Sequence, residues 1–180
     1  MGKKKQSELD EMELLQQEFW NRMREIFKEN GTALQLGDTD YGEWINCKTS
    51  VRQNLIVVYL RPLHRRYQIT ANLDGRKNAT EYSEQWATYM MHHKQEIENN
   101  IGFPIEQFEQ LPTSGGVGAE MRIGKEFEMH PLHKKEKWGA LISVMRVQLY
   151  SYVKAFEPHM EAFAETHGYL LDDGSVRHHR

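Results

Sequence analysis

The sequence predicts an α+β domain, an antiparallel sheet of about five strands with three helices packed against it. Three observations lead there. Apolar residues recur at spacings of three and four in three separate segments, the mark of amphipathic helices. Between the first two, the chain switches to short runs rich in β-branched and aromatic residues, the mark of strands. No internal repeat or low-complexity linker divides the 180 residues, which suffice for one real core.

The first helix spans about Ser7 to Glu29, with Met12, Leu15, Phe19, Trp20, Met23, Ile26 and Phe27 on one face. Asn30-Gly31 stops it, because glycine accepts the left-handed conformation that ends helices. Gly37 to Gly42 is polar and reads as a loop. Trp44–Lys48, Asn54–Arg61 and Arg66–Leu73 are the predicted strands, the last two joined as a hairpin through Pro62-Leu63-His64-Arg65. Leu55 to Leu60 is apolar almost throughout and reads as the more central strand. In the third, Tyr67, Ile69, Ala71 and Leu73 alternate with Gln68, Thr70 and Asn72, which predicts one wet face.

A second helix opens near Asn78, which can cap it with Glu81 reaching back from the third position. Tyr82, Trp86, Tyr89, Met90, His93 and Ile97 form its apolar side, and Gly102 and Pro104 end it. Ile105 to Leu111 alternates weakly, a glycine-rich loop follows at Ser114 to Gly118, and a strand is expected from about Glu120 to Phe127. The third helix keeps its spacing from Trp138 to Phe163, with Pro158 inside it expected to kink it or end it early. Residues 1–6 read as a disordered basic tail, 7–171 as the domain, and 172–180 as a disordered tail with turn composition.

Composition excludes several classes. A net charge of −3 and a pI near 6.3 rule out retention on nucleic acid by global charge, so any such binding needs a local patch. The single cysteine, Cys47, cannot form an internal disulfide, and in a strand without a neighbouring histidine it reads as a buried structural thiol. No apolar run approaches the roughly 18 residues of a membrane helix, and no apolar stretch follows Lys3, Lys4 and Lys5 as in a signal peptide. The expected location is cytoplasmic, with no membrane partner.

Motifs with catalytic meaning fare poorly. His92-His93 and His130-Pro131-Leu132-His133 offer zinc-type ligands, but adjacent helical histidines point about 100° apart. They read as ordinary surface and half-buried histidines, so neither a metal nor another cofactor is expected. The loop at Gly115 to Gly118 leads into a strand instead of a helix and lacks the lysine of a phosphate-gripping loop. Asp74 and the glutamates after Ile105 supply carboxylates without the Glu-x-Lys of restriction-type nucleases, and no Gly-x-Ser-x-Gly occurs.

One charge asymmetry stands out. Between residues 48 and 77 the chain carries Lys48, Arg52, Arg61, Arg65, Arg66, Arg76 and Lys77 against Asp74 alone, an excess of six positive charges. Gathered on one rim, these cations could meet phosphates, with Tyr59 or Tyr67 stacking a base. The competing reading neutralises them one by one with helix acids such as Glu81 and Glu84.

Several short motifs carry a resemblance: Arg66-Tyr67-Gln68-Ile69-Thr70-Ala71, then Lys94-Gln95-Glu96-Ile97-Glu98 followed by Gly102, then Ile105 to Leu111, Arg122-Ile123, and the closing stretch from Trp138 to Pro158. In this order they resemble the bacterial family called domain of unknown function 4268, over roughly Phe19 to Met160, with Phe108 where a tryptophan is usual. The resemblance implies a stand-alone domain or a partner of restriction-like nuclease segments, in nucleic-acid transactions or defence, and it brings no catalytic residues. The leading expectation is a non-catalytic binding module that uses the strand-region cations and Tyr67 toward nucleic acid or an acidic protein. A divalent-metal hydrolase or nuclease and a structural assembly subunit are the alternatives, and the long last helix suits a homodimer.

Overall fold

The computed structural model describes residues 11–37, 42–74, 79–112, 119–171 and 173–178. In chain order the elements are α1 (Glu11–Glu29), β1 (Trp44–Lys48), β2 (Asn54–Arg61), β3 (Arg66–Asp74), α2 (Thr80–His92), α3 (Lys94–Ile101), β4 (Gln107–Pro112), β5 (Ala119–Glu128), α4 (Trp138–His167), β6 (Tyr169–Leu170) and β7 (Val176–Arg177). The first five strands form one sheet in the order β1-β2-β3-β5-β4, and every neighbouring pair is antiparallel. The fold is therefore α+β with a five-stranded antiparallel sheet and four helices.

The register explains the core. Ile45 stands opposite Val58, Val58 opposite Ile69, Ile56 opposite Ala71, and Ala71 opposite Ile123. Side chains alternate along a strand, so these residues share one face, and all are at most 1% exposed. The helices cover that face. α4 supplies Ile142, Met145, Leu149, Tyr152 and Phe156, α1 supplies Phe19, Trp20 and Met23, and α2 supplies Trp86, whose indole N–H donates to Asn54 Oδ1 at 2.8 Å. Phe19 meets Trp138 edge to face at 5.3 Å, which ties α1 to the start of α4.

Four details differ from the sequence reading. The expected second helix is two, because His93 (φ −92°, ψ 8°) leaves helical geometry for one residue between α2 and α3. Its start is Thr80 with Ala79 at the cap position and no side-chain cap, while the expected cap, Asn78, lies outside the described residues. Pro158 does not end α4, which runs on to His167. Pro158 and Lys154, whose carbonyl loses its partner, are both exposed, so water can serve that carbonyl while Phe156, Met160 and Phe163 hold the helix to the core. Finally, the tail carries β7, which pairs with β6 and helps seat Leu170 in the core; residues 1–6 lie outside the described residues.

The predicted wet face of β3 is a correction of a different kind. Gln68 and Thr70 are 0% exposed and Asn72 3%, although all three point away from the helices. Long neighbours close over them, and they bond to one another, to β2 and, across β5, to β4. Arg61 Nη2 donates to Gln68 Oε1 at 3.1 Å, Gln68 Nε2 donates to Gln107 Oε1, Thr70 Oγ1 donates to Asn72 Oδ1 at 2.5 Å, and Asn72 Nδ2 donates to Tyr59 OH at 2.9 Å. A fully satisfied polar row of this kind is rigid and avoids the penalty of unpaired buried groups. Gly124 is required beside it, since a Cβ there would stand 2.0 Å from Ile69 O and 2.8 Å from Thr70 Cα.

Candidate nucleic-acid interface

Antiparallel order sends successive turns to opposite ends of a sheet, and it divides the basic residues accordingly. Lys48 ends β1 and Arg52 lies in the β1–β2 turn, whereas Arg61, Arg65 and Arg66 gather at the β2–β3 hairpin. At about 3.3 Å per residue, the length of β2 separates the two groups by roughly 25 Å. Arg76 and Lys77 lie outside the described residues. A single rim holding all seven is thus not what forms; the structure brings together the arginine trio.

Local geometry fixes that trio. Pro62–His64 makes one 3-10 turn, and Arg65 closes it in the left-handed region at φ 52°, its N–H donating to Pro62 O at 3.1 Å. Arg66 and Arg61 face each other across the strand pair. Both reach Glu126 of β5, Arg66 Nη1 at 2.9 Å and Arg61 Nη1 at 3.9 Å. The neutralising carboxylate comes from a neighbouring strand, not from Glu81 or Glu84 of α2. Arg65 makes no ion pair with a described residue.

Tyr67 cannot stack a ligand. It points to the helix side at 2% exposure, its ring stacks on Phe127 at 5.2 Å, and its hydroxyl donates to Gln148 Oε1 at 2.7 Å. Burial pushes its pKa up to about 12, the Gln148 bond working in the opposite direction. Strand parity decides this: Tyr59 and Tyr67 lie on opposite faces, and Tyr59 is the one beside the arginines.

Tyr59 helps line a groove of about 780 Å³ between the first turns of α1 and the β2–β3 hairpin. Trp44, Arg61, Leu63, His64 and Arg122 share its wall with the acids Glu13 and Glu43. Arg122 of β5 lies over the Tyr59 ring, 4.3 Å from its centroid, a cation–π geometry. Trp44 is 44% exposed and Leu63 86%, while Trp20, Trp86 and Trp138 are at most 5% exposed. Sequence reasoning singled out Tyr59 and Arg61 but missed Trp44 and Arg122. Trp44 reads as an ordinary strand residue, and only the β3–β5 register carries Arg122 to this face.

Two of the glutamates after Ile105 form ion pairs. Glu126 serves two arginines, and Glu106 pairs with Lys125 at 2.9 Å. Cys47 is buried, which pushes its thiol up to about 11 and keeps it protonated. Among the described residues, the set of three close enough to share an ion is His93, Glu96 and His159, and neither His130 nor His133 belongs to it. For self-pairing, α4 leaves Val144, Val147 and Tyr150 exposed. No helix among the described residues is long and apolar enough to cross a membrane.

Comparison with curated proteins finds no match. The family described as Domain of unknown function (DUF4268) matches residues 15–160, from α1 to the second half of α4 and across the whole five-stranded sheet. With most of its length inside that match, the chain belongs to the DUF4268 family.

Proposed function

We propose that this protein is a non-catalytic module that binds single-stranded nucleic acid in the groove beside the β2–β3 hairpin. The observation that carries the reading is the meeting of exposed Trp44 and Arg122-capped Tyr59 with Arg61 in that groove, with Arg65 and Arg66 in the adjoining hairpin. Aromatic faces stack bases without regard to sequence, and guanidinium forks take phosphate oxygens in pairs. Glu126 already shares its carboxylate between Arg61 and Arg66, and Glu13 and Glu43 line the same groove. The field here is therefore weaker than a linear count of charge implies, and stacking carries more of the affinity than electrostatics does. A defence system is a setting that fits such a module.

Fluorescence anisotropy with labelled single-stranded RNA, single-stranded DNA and duplex DNA at low salt tests the reading. Single strands are expected to bind in preference to duplex, and Trp44→Ala to weaken binding by at least about tenfold, the equivalent of one lost stacking contact. An Arg61→Ala, Arg65→Ala, Arg66→Ala variant is expected to flatten the slope of log affinity against log salt by about two for single strands. Wild-type protein that binds none of the three at low salt ends the proposal. Binding to an acidic polypeptide instead, lost in the same variants, would move the surface to a protein partner.

A further inference from the structure

A second convergence of side chains lies where α2 gives way to α3, and it uses no residue of the groove. His93 occupies the one-residue break, Glu96 follows in the first turn of α3, and His159 arrives from α4 directly after Pro158. Glu96 Oε2 stands 3.7 Å from His93 Nδ1 and 3.9 Å from His159 Nε2, and three ligand atoms from these residues lie within 4.8 Å of one another. The two imidazole rings approach to 4.7 Å between centroids.

These separations are longer than hydrogen bonds and leave room for an ion between the three groups. His159 is only 8% exposed, and its Nε2 faces the Glu96 carboxylate. A cation between the three groups would satisfy all of them at once. His93 stays on the α2 face, its N–H donating to Tyr89 O at 3.2 Å and its ring lying 4.5 Å from the Tyr89 ring, and there it meets His159 of α4 while the neighbouring His92 stays exposed.

We propose that His93, Glu96 and His159 bind a first-row divalent cation of the zinc class, clamping the α2–α3 junction to α4. Two imidazoles and one carboxylate form the borderline-soft donor set that such ions take and that calcium and magnesium do not. Tetrahedral zinc holds its ligand atoms roughly 3.4 Å apart, so the set must contract by no more than about 1.4 Å. The Glu96 side chain, 64% exposed, has the freedom to make most of that movement. Its exposure also leaves the fourth coordination position to water.

The test uses the full chain, stripped with a chelator and titrated calorimetrically with Zn²⁺, with Co²⁺ as a visible-absorption probe of coordination. One equivalent is expected to bind, with d–d bands in the cobalt form and a higher unfolding midpoint in the zinc form. His93→Ala and Glu96→Gln should each weaken binding by at least about tenfold. His92→Ala and a tail variant, His178→Ala with His179→Ala, should bind as wild type does. His159 is buried and its replacement can compromise folding, so the variants at the more accessible His93 and Glu96 decide the outcome. Absent binding in the wild type, unchanged binding in either of those two variants, or loss in the tail variant overturns the proposal.

Discussion

Tyr67, Ile69, Ala71 and Leu73 of β3 face the helices, whereas Gln68, Thr70 and Asn72 face away, and every one of these residues is at most 3% exposed. One strand thus presents two closed surfaces of opposite chemistry. On the helix side the closure comes from apolar packing, which is non-directional and tolerates apolar side chains of similar volume. On the other side it comes from a hydrogen-bonded row that demands particular partners at particular atoms. The apolar surface stabilises the fold, and the polar one holds Tyr59 and Arg61 in fixed positions beside the groove.

Replacing a residue on each face should separate these roles. Ile69→Ala is expected to cost about 2–5 kcal/mol in urea denaturation, the usual range for a large core truncation, with little effect on any ligand bound at the groove. Gln68→Ala should cost less, about 1–3 kcal/mol, since it takes from Arg61 and Gln107 the partner they share, and both retain some access to water. Unlike Ile69→Ala, it should also change groove binding, because Arg61 loses its lateral support. Equal binding effects from the two variants would erase the distinction. An Arg65→Ala, Arg66→Ala variant, which leaves the Arg61–Gln68 bond in place, should shift stability by less than about 1 kcal/mol, as exposed ion pairs contribute little.

A smaller effect arises on the helix side at high pH. Burial pushes the hydroxyls of Tyr67 and Tyr82 up to about 12, while in the unfolded chain they ionise near 10. The folded state therefore holds these protons more tightly, and the stability they contribute is complete below pH 10 and lost as pH rises toward 12. Denaturation midpoints measured from pH 9 to 12 should fall across that window, and the fall should shrink in Tyr67→Phe. By the same logic, Cys47, with its thiol at about 11, should resist alkylation at pH 8 until urea unfolds the chain.

Much of this architecture is legible without coordinates. The limits of β1 and β2 follow from Trp44-Ile45-Asn46-Cys47-Lys48 and from Asn54 to Arg61, because β-branched runs end at polar turns. The helical faces of α1 and α4 follow from a period that burial alone imposes. The polar row is hidden, since alternation reports polarity and says nothing about what neighbouring strands lay over it. The groove is half visible. Tyr59 and the arginines are close in sequence, but Arg122 and Trp44 reach them only through pairing between distant segments. The histidine cluster escapes sequence reasoning for the same reason: His92-His93 draws attention as a pair, while the residue that meets His93 lies on α4, far along the chain.

The short closing hairpin has a consequence for where the domain ends. The family match stops at residue 160, yet Phe163, Ala164 and Leu170 are each no more than 1% exposed. Tyr82 OH donates to Gly168 O at 2.7 Å, and Gly168 itself has φ 87° with no space for a Cβ beside Val176 and Arg177. A fragment cut at the family boundary would leave an open socket beside Tyr82. The smallest autonomous folding unit must extend through β7 to Arg177, past the family boundary at residue 160, to include the latch that fills that socket.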